Sequence, residues 1–366
     1  MKNHLKNEKG IALVLILWVL ALLSVIVGEF CYAMRIEVNI TRNFKEQRQA
    51  YYIALAGLNR AIGELVRNQA MPPRKELFED NTGEEGDEGE IEGISEEADR
   101  WRINVDIPSV DFGSGKFRVR IGNEAGKINI NQADETLLQM MVDAFDLDTQ
   151  QKDIIVDSIL DWRDKNDLHR LQGAENDFYN SLPEPYDCKN DDFDSVEELL
   201  LVRGVTPEIF HGGLKNMVTV FLDKRTQSRS TGDILRGRRG RGVGSKICIN
   251  AASEKMLIAL PLMTDVLVQE IITYRKEKDF KSPAELSSVV GADVFTAISP
   301  YITFEENAYY TIFSVGLLPG SAIRKEIEAM VEVAPTLKKG WRVVQWRDGF
   351  KRAPKRSSNP EMVGEE

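Results

Sequence analysis

From Ile11 to Gly28 the chain runs eighteen residues without a charge, IALVLILWVLALLSVIVG. That length is at the short end for a membrane-spanning helix. Lys2, Lys6 and Lys9 precede it and Glu29 follows it, which predicts the N-terminus in the cytoplasm and the body outside. The helical pattern does not stop there. No proline occurs before Pro72, and Tyr51, Leu55, Leu58, Ile62 and Leu65 recur at four-then-three spacing. Met71-Pro72-Pro73 ends the helix. About sixty helical residues would reach roughly 90 Å. Further on, period-two alternation predicts strands over Trp101–Ile107 and Lys116–Ile121, and again over Tyr309–Leu317 and Ala322–Val333, which Pro319-Gly320 joins. Trp341–Trp346 adds a last strand.

Between those strand groups the chain repeats itself. Lys127-Ile128-Asn129-Ile130-Asn131-Gln132-Ala133 is echoed by Lys246-Ile247-Cys248-Ile249-Asn250-Ala251-Ala252. Phe193-x-Ser195-x-x-Glu198-Leu199-x-x-Val202-x-Gly204 is echoed by Phe280-x-Ser282-x-x-Glu285-Leu286-x-x-Val289-x-Gly291. Two motifs in the same order indicate duplication of a small helical unit. In each copy the Asn is expected to cap a helix, and the Ser of F-x-S a second short one. These look like helix-hairpin-helix or SAM-like units. The first copy carries an extra stretch over Asp161–Asp192, DWRDKNDLHRLQGAENDFYNSLPEPYDCKNDD.

Charge changes the picture only locally. The formal net charge is -11, and Glu79–Asp99 holds eleven acidic side chains with no Lys or Arg. The remainder is near neutral, so no global case for a basic or acidic partner survives. That segment reads as a solvated loop. Arg236, Arg238, Arg239 and Arg241 lie in RGRRGRG, read as a linker between the repeats, since no aromatics interleave to stack on bases. Cys31, Cys188 and Cys248 form no C-x-x-C pair. Cys188 and Cys248 could pair in an oxidising compartment, and two free thiols is the preferred reading.

Enzyme signatures fail on spacing. Gly113-Ser114-Gly115-Lys116 lacks the phosphate-loop pattern, and His4, His169 and His211 are scattered. The one chemistry on offer is cation binding. Asp164, Asn166, Asp167, Glu175 and Asp177 bring five oxygen-bearing side chains within fourteen residues, the ligand type that calcium takes. A solvated acidic loop is the bland alternative, and the spacing is not that of an EF-hand.

At the N-terminus several readings stand side by side. GEFCYAMR after the apolar run is a poor signal-peptidase site. Glu29 and Phe30 before Cys31 spoil a lipoprotein signal. A plain anchor explains the apolar run alone. A short basic leader ending Lys9-Gly10, with the apolar segment starting at once, resembles a prepilin leader. That reading places cleavage between Gly10 and Ile11.

With the motif D-W-x-D, G-A-E, Tyr, P-x-Y and Asn at Asp161, Trp162, Asp164, Gly173, Ala174, Glu175, Tyr179, Pro183, Tyr186 and Asn190, the chain resembles the K-type minor pseudopilins of type II secretion systems from Gly10 to about Trp346. Pilins at large carry Glu at the fifth mature position, where this chain has Leu15. The resemblance implies that absence for a subunit at the filament tip. It implies an α+β fold: a long N-terminal helix on an antiparallel sheet, with a large inserted α-helical domain. The expected order is leader 1–10, transmembrane segment 11–28, helix continuation 29–72, first sheet part 73–125 with acidic loop 79–99, first repeat 126–222 with insertion 161–192, basic linker 223–245, second repeat 246–305, second sheet part 306–346 and tail 347–366. It also implies calcium in the helical domain, the I- and J-type minor pseudopilins as partners, processing by prepilin peptidase, N-methylation of Ile11, and an inner-membrane anchor with the body in the periplasm among the secretion machinery. The alternative is a membrane-tethered helix-hairpin-helix DNA receptor. Against nucleic acid stand the acidic first hairpin region and Leu260-Pro261-Leu262-Met263, which lacks the expected Gly.

Overall fold

The computed structural model describes residues 8–70, 101–221 and 246–349. The start of the leader, the acidic loop 79–99, the basic linker 223–245, the Met71-Pro72-Pro73 stop and the tail beyond Gly349 lie outside the described residues.

Helix α1 runs Glu8–Ala70, 63 residues without a break. From Leu13 its first half is exposed along the apolar stretch, Leu15 at 61% and Trp18 at 75%. From Ala50 onward one face packs on a sheet and buries Ile53, Ala54, Leu58, Ala61, Ile62 and Leu65. Tyr51 and Leu55 line the margin of that contact. Each buried large side chain contributes about 1.5–3 kcal/mol. Two glycines let the backbones close in. A Cβ on Gly316 would strike the Ala50 and Ala54 backbone, and one on Gly57 would strike Ser314 Oγ and the Phe117 ring. Ser314 Oγ donates to the Ala54 carbonyl at 2.7 Å across the same seam.

After α1 come β1 (Val110–Phe112), β2 (Gly115–Asn123) and β3 (Ile128–Asn129), then α2 (Glu135–Asp143), α3 (Thr149–Arg163), α4 (Asn176–Tyr179), α5 (Pro207–Ile209), α6 (Lys215–Met217) and β4 (Val218–Thr219). The second half holds β5 (Ile247–Cys248), α7 (Glu254–Ile258), α8 (Asp265–Glu277), α9 (Pro283–Val290), α10 (Ala292–Ile298), β6 (Ile302–Thr303), β7 (Tyr309–Leu317), β8 (Arg324–Val333) and β9 (Trp341–Asp348). One antiparallel sheet has the order β1-β2-β7-β8-β9. Asn123 of β2 stands opposite Tyr310 of β7, so the whole helical domain is inserted between two adjacent strands. The α+β expectation holds.

The sheet corrects one strand. Trp101–Ile107 is not extended: Asn104 sits at φ 53° and turns the chain. Ile103 and Ile107 are still buried, so the apolar spacing reported burial rather than a ladder. Asn104 N donates to the Ile121 carbonyl at 2.8 Å. The actual edge strand is β1. Strands β7, β8 and β9 fall where the alternation put them, with β9 extending two residues past Trp346.

The helical domain has its own core, separate from the one under the sheet. The duplication is plain in the pairing: β3 lies parallel to β4, and β5 parallel to β6. The repeated Asn has a different task from the expected cap. Asn131 Nδ2 donates to the Phe193 carbonyl at 3.0 Å, and Phe193 N donates back to Asn131 Oδ1 at 2.8 Å. Asn250 makes the same pair with Phe280, both at 2.9 Å. Each repeat thus ties its first motif to its second. The caps of α2 and α7 are Asp134 and Ser253, three residues later. The F-x-S serines do cap: Ser195 forms a capping box with Glu198 ahead of a 3-10 turn, and Ser282 caps α9.

Candidate functional site

The insertion hangs between the end of α3 and Phe193, on an aromatic nucleus. Trp162 stands edge-on to Tyr179 at 5.2 Å, and Tyr186 tilts on Tyr179 at 5.3 Å. Tyr186 Oη donates to the Leu201 carbonyl at 2.7 Å, and Arg203 N donates to Tyr179 Oη at 3.2 Å. Arg163 donates to the carbonyls of Ile130 and Ala133, which fixes where the loop departs. A loop with so few apolar residues is shaped here by aromatics and by polar contacts to backbone.

Two carboxylates are buried within it. Asp161 is fully buried at the end of α3, and Glu175 is 2% exposed. Asp161 Oδ2 accepts from Arg170 N at 3.0 Å. Gly173 lies so close to that carboxylate that a Cβ would overlap it. Neither oxygen of Glu175 completes a hydrogen bond, and Asp161 Oδ1 and Asn190 Oδ1 are also buried without one. Burial pushes Glu175 up to about 7, and the charges of Asp161, Asp164 and Asp167 push the same way. The Cys188 thiol lies against it and partly offsets the rise, without a well-formed bond. Asp161 is raised, chiefly by burial, although the Arg170 N–H opposes this. Burial holds the Cys188 thiol up at about 12, and all three cysteines are unpaired.

The five expected ligands are not all in one place. Asp164 Oδ1 accepts from Asn166 N at 3.0 Å. Asp167 Oδ1 accepts from Asn176 Nδ2 at 3.0 Å and Asn190 Nδ2 at 2.8 Å. Those two carboxylates and Glu175 share one electrostatic neighbourhood. Asn166 is exposed and turned on its own loop, its Oδ1 accepting from Leu168 N at 2.9 Å. Asp177 is exposed, accepts from Phe178 N at 2.9 Å, and lines a shallow hollow with His169, Leu171 and Arg203. Asp161, Asn176 and Asn190, outside the five expected ligands, sit in the centre of the loop. Asp161 and Asn190 are both in the quoted motif, so the signal was present. Among the described residues no three His, Cys, Asp or Glu side chains converge as an ion-holding group. Four orphaned, buried oxygens nonetheless suit a hard cation, which takes six to eight oxygens. Closing around one would require Asp164 and Asp167 to swing inward.

The remaining candidates lie on α1. Gly10 and Ile11 are in its first turns, their side chains outside the described residues. Among the described residues α1 alone is long and apolar enough to cross a membrane.

Residues 118–223 match the model of the family described as Type II secretion system (T2SS), protein K. A type II secretion system protein K of Pectobacterium carotovorum subsp. carotovorum is 24% identical over 211 residues, 56% of this chain and 60% of that protein. One from Aeromonas hydrophila is 23% identical over 304 residues, 79% of this chain and 84% of that one. The fold matches a chain in the GspK-GspI-GspJ complex of the enterotoxigenic Escherichia coli type 2 secretion system with a TM-score of 0.55. Identity there is 14%, and the match covers 85% of this chain and 99% of that one. The matched stretch contains the whole first repeat, with the insertion and its buried carboxylates. None of these likenesses supports the DNA-receptor alternative. At the hairpin in question Leu262 takes the positive-φ position, at 60°, with an exposed side chain.

Proposed function

We propose that this chain is a minor pseudopilin of a type II secretion system, a non-enzymatic subunit that initiates or caps the pseudopilus tip. The observation that carries this is architectural. A helix with an unburied apolar half runs into a small sheet, and a bulky duplicated helical domain is spliced between two adjacent strands. The exposed half of α1 supplies a single-pass inner-membrane anchor and, beyond it, an apolar surface (Phe30, Tyr32, Ile36, Val38, Ile40 and Phe44 are all exposed) for neighbouring pseudopilin helices. The body then stands in the periplasm. A helical domain of this bulk suits a terminal position better than a repeating one. Partners of the I and J types follow from the complex named for the structural relative. With Leu15 in place of an acid, no carboxylate is offered to the amine of a following subunit.

Processing belongs to the same reading: prepilin peptidase cuts between Gly10 and Ile11, and Ile11 is N-methylated. Intact mass spectrometry of the protein from membranes with and without the peptidase tests it. A mature chain starting at Ile11 only when the peptidase is present is the expected result. A chain still starting at Met1, or cut after residue 28, overturns the proposal.

Calcium in the insertion is the second part. Glu175, Asp164, Asp167 and Asn190 would hold the ion, with backbone carbonyls and Asp161 completing its surroundings. The ion would supply positive charge to carboxylates that burial otherwise drives toward protonation. A ligand bound only by the folded state at a hundredfold excess over its Kd stabilises by about 2.7 kcal/mol. Thermal unfolding in calcium and in a chelator should therefore differ, and Glu175→Gln should abolish the difference. Identical melting in both buffers would remove calcium from the picture.

A further inference from the structure

The sheet covers α1 unevenly. Gly57 of α1 packs on Phe117 of β2, and Ala50 and Ala54 pack on Gly316 of β7. At the opposite margin a Cβ on Gly340, just ahead of β9, would meet the Val66 side chain at 3.5 Å. β9 is an edge strand, and among the described residues it pairs with β8 alone. Val343 and Trp346 stand opposite Val331 and Ala329. Those two lie in the core beneath α1, and directly opposed residues share a face of the sheet. Val343 and Trp346 are therefore on the α1 side, yet they are 42% and 39% exposed. A channel is left between α1 and β9. Gly63 keeps it open, since a Cβ there would meet nothing within 4 Å.

The same flank continues down the helix. Val66, Gly63, Asn59, Leu55 and Tyr52 follow one another at spacings of three and four, which makes them one row. The row descends through Arg48, Lys45 and Thr41 to Val38, Met34 and Phe30, all of them exposed. From Phe30 it enters the apolar stretch. Phe30 to Val66 spans about 54 Å. A surface that runs from the membrane segment to a sheet edge matches a rod lying beside α1.

The middle and top of this flank are basic. Lys45 and Arg48 are exposed, and Arg48 lies over the Phe44 ring at 5.9 Å. Lys338 and Lys339 are exposed at the turn between β8 and β9. Among the described residues no carboxylate pairs with any of the four. Asp348, on the same face of β9, accepts from Trp346 Nε1 at 2.7 Å. Glu37 lies about two turns below Lys45. An occupant gains by bringing acid to the level of Lys45 and Arg48.

We propose that the channel between α1 and β9, with the row from Tyr52 down to Phe30, seats one parallel, membrane-anchored helix of a partner subunit that carries an acidic residue against Lys45 and Arg48. The kind of partner rests on the pseudopilin reading; the surface and its chemistry do not. Docking there covers Trp346 and Val343 and closes the free edge of the sheet.

Photocrosslinking of the full chain in its own membranes tests this, with a photoreactive phenylalanine in place of Tyr52 or of Trp346. Both positions should capture the same protein, within its membrane-anchored helix, and further along that helix from Trp346 than from Tyr52. Lys45→Glu combined with Arg48→Glu should cut capture at Tyr52 roughly tenfold or more, because like charges then face each other. These side chains are exposed, so melting of the body should not change. The same probe at Arg118, which is exposed on the far face of the sheet, should not capture that helix. No capture, two different proteins from the two positions, or capture that survives the charge reversal overturns the proposal. Capture within one chain or of a second copy also overturns it. If the chain starts at Ile11 and captures nothing, docking alone fails. If it still starts at Met1 and captures such a helix, docking stands and the pseudopilin reading fails.

Discussion

The sharpest consequences at the residue scale come from Glu175 and Gly316. Glu175 titrates near 7 in the fold against an ordinary 4.5. A carboxyl raised by folding adds stability below its ordinary value and loses it as pH rises through the folded value. In a chelator the melting temperature should therefore fall between about pH 4.5 and pH 7, and Glu175→Gln should flatten that slope. Gly316→Ala places a methyl into the α1 backbone, and overpacking of that kind costs about 1–3 kcal/mol. Thermal unfolding should show it at any pH. The residues that converge in the insertion were only half legible. Acidic composition marked Asp164, Asp167 and Glu175, but composition cannot tell a loop's outer carboxylate from its inner one. Asn166 and Asp177 point outward, while Asp161 lies inward because the apolar face of α3 carries it there. That distinction depends on which side chain the turn buries, and no spacing rule encodes it.

Elements were read better than their joints. The four-three spacing in α1 found its buried face, and period-two alternation found β7, β8 and β9, because a half-buried helix or strand imposes its own repeat on the sequence. Trp101–Ile107 misled for the same reason: alternating burial arises in any chain pressed along an apolar surface, and Asn104 at positive φ breaks the ladder without breaking the burial. The duplicated asparagines were visible as a repeat but not as fasteners, since their partner Phe backbones lie 62 and 30 residues away. Asn131→Ala and Asn250→Ala should each cost about 1–3 kcal/mol, the worth of two side-chain to backbone bonds. Chemical denaturation of each variant measures this. A loss confined to one repeat would show that the two copies share the form of the clasp but not its weight.

At the scale of the molecule, the exposed apolar half of α1 and the closed body behave as separate phases. The full chain should require detergent, and a chain beginning at Glu29 should stay in solution with its body folded, as circular dichroism and sedimentation would show. The body has a further property that follows from Asn123 and Asn307. Asn123 Nδ2 donates to the Asn307 carbonyl at 2.9 Å, and Asn307 N donates back to Asn123 Oδ1 at 3.1 Å. These two residues are the entry and exit of the helical domain, and they touch. For β2 to find β7 from an unstructured chain would mean closing a loop of well over a hundred residues, an entropic cost that grows with loop length and slows nucleation. If the domain folds first, its ends arrive side by side and the sheet closes as an ordinary hairpin. Folded in that order, the cargo builds the join on which the frame closes.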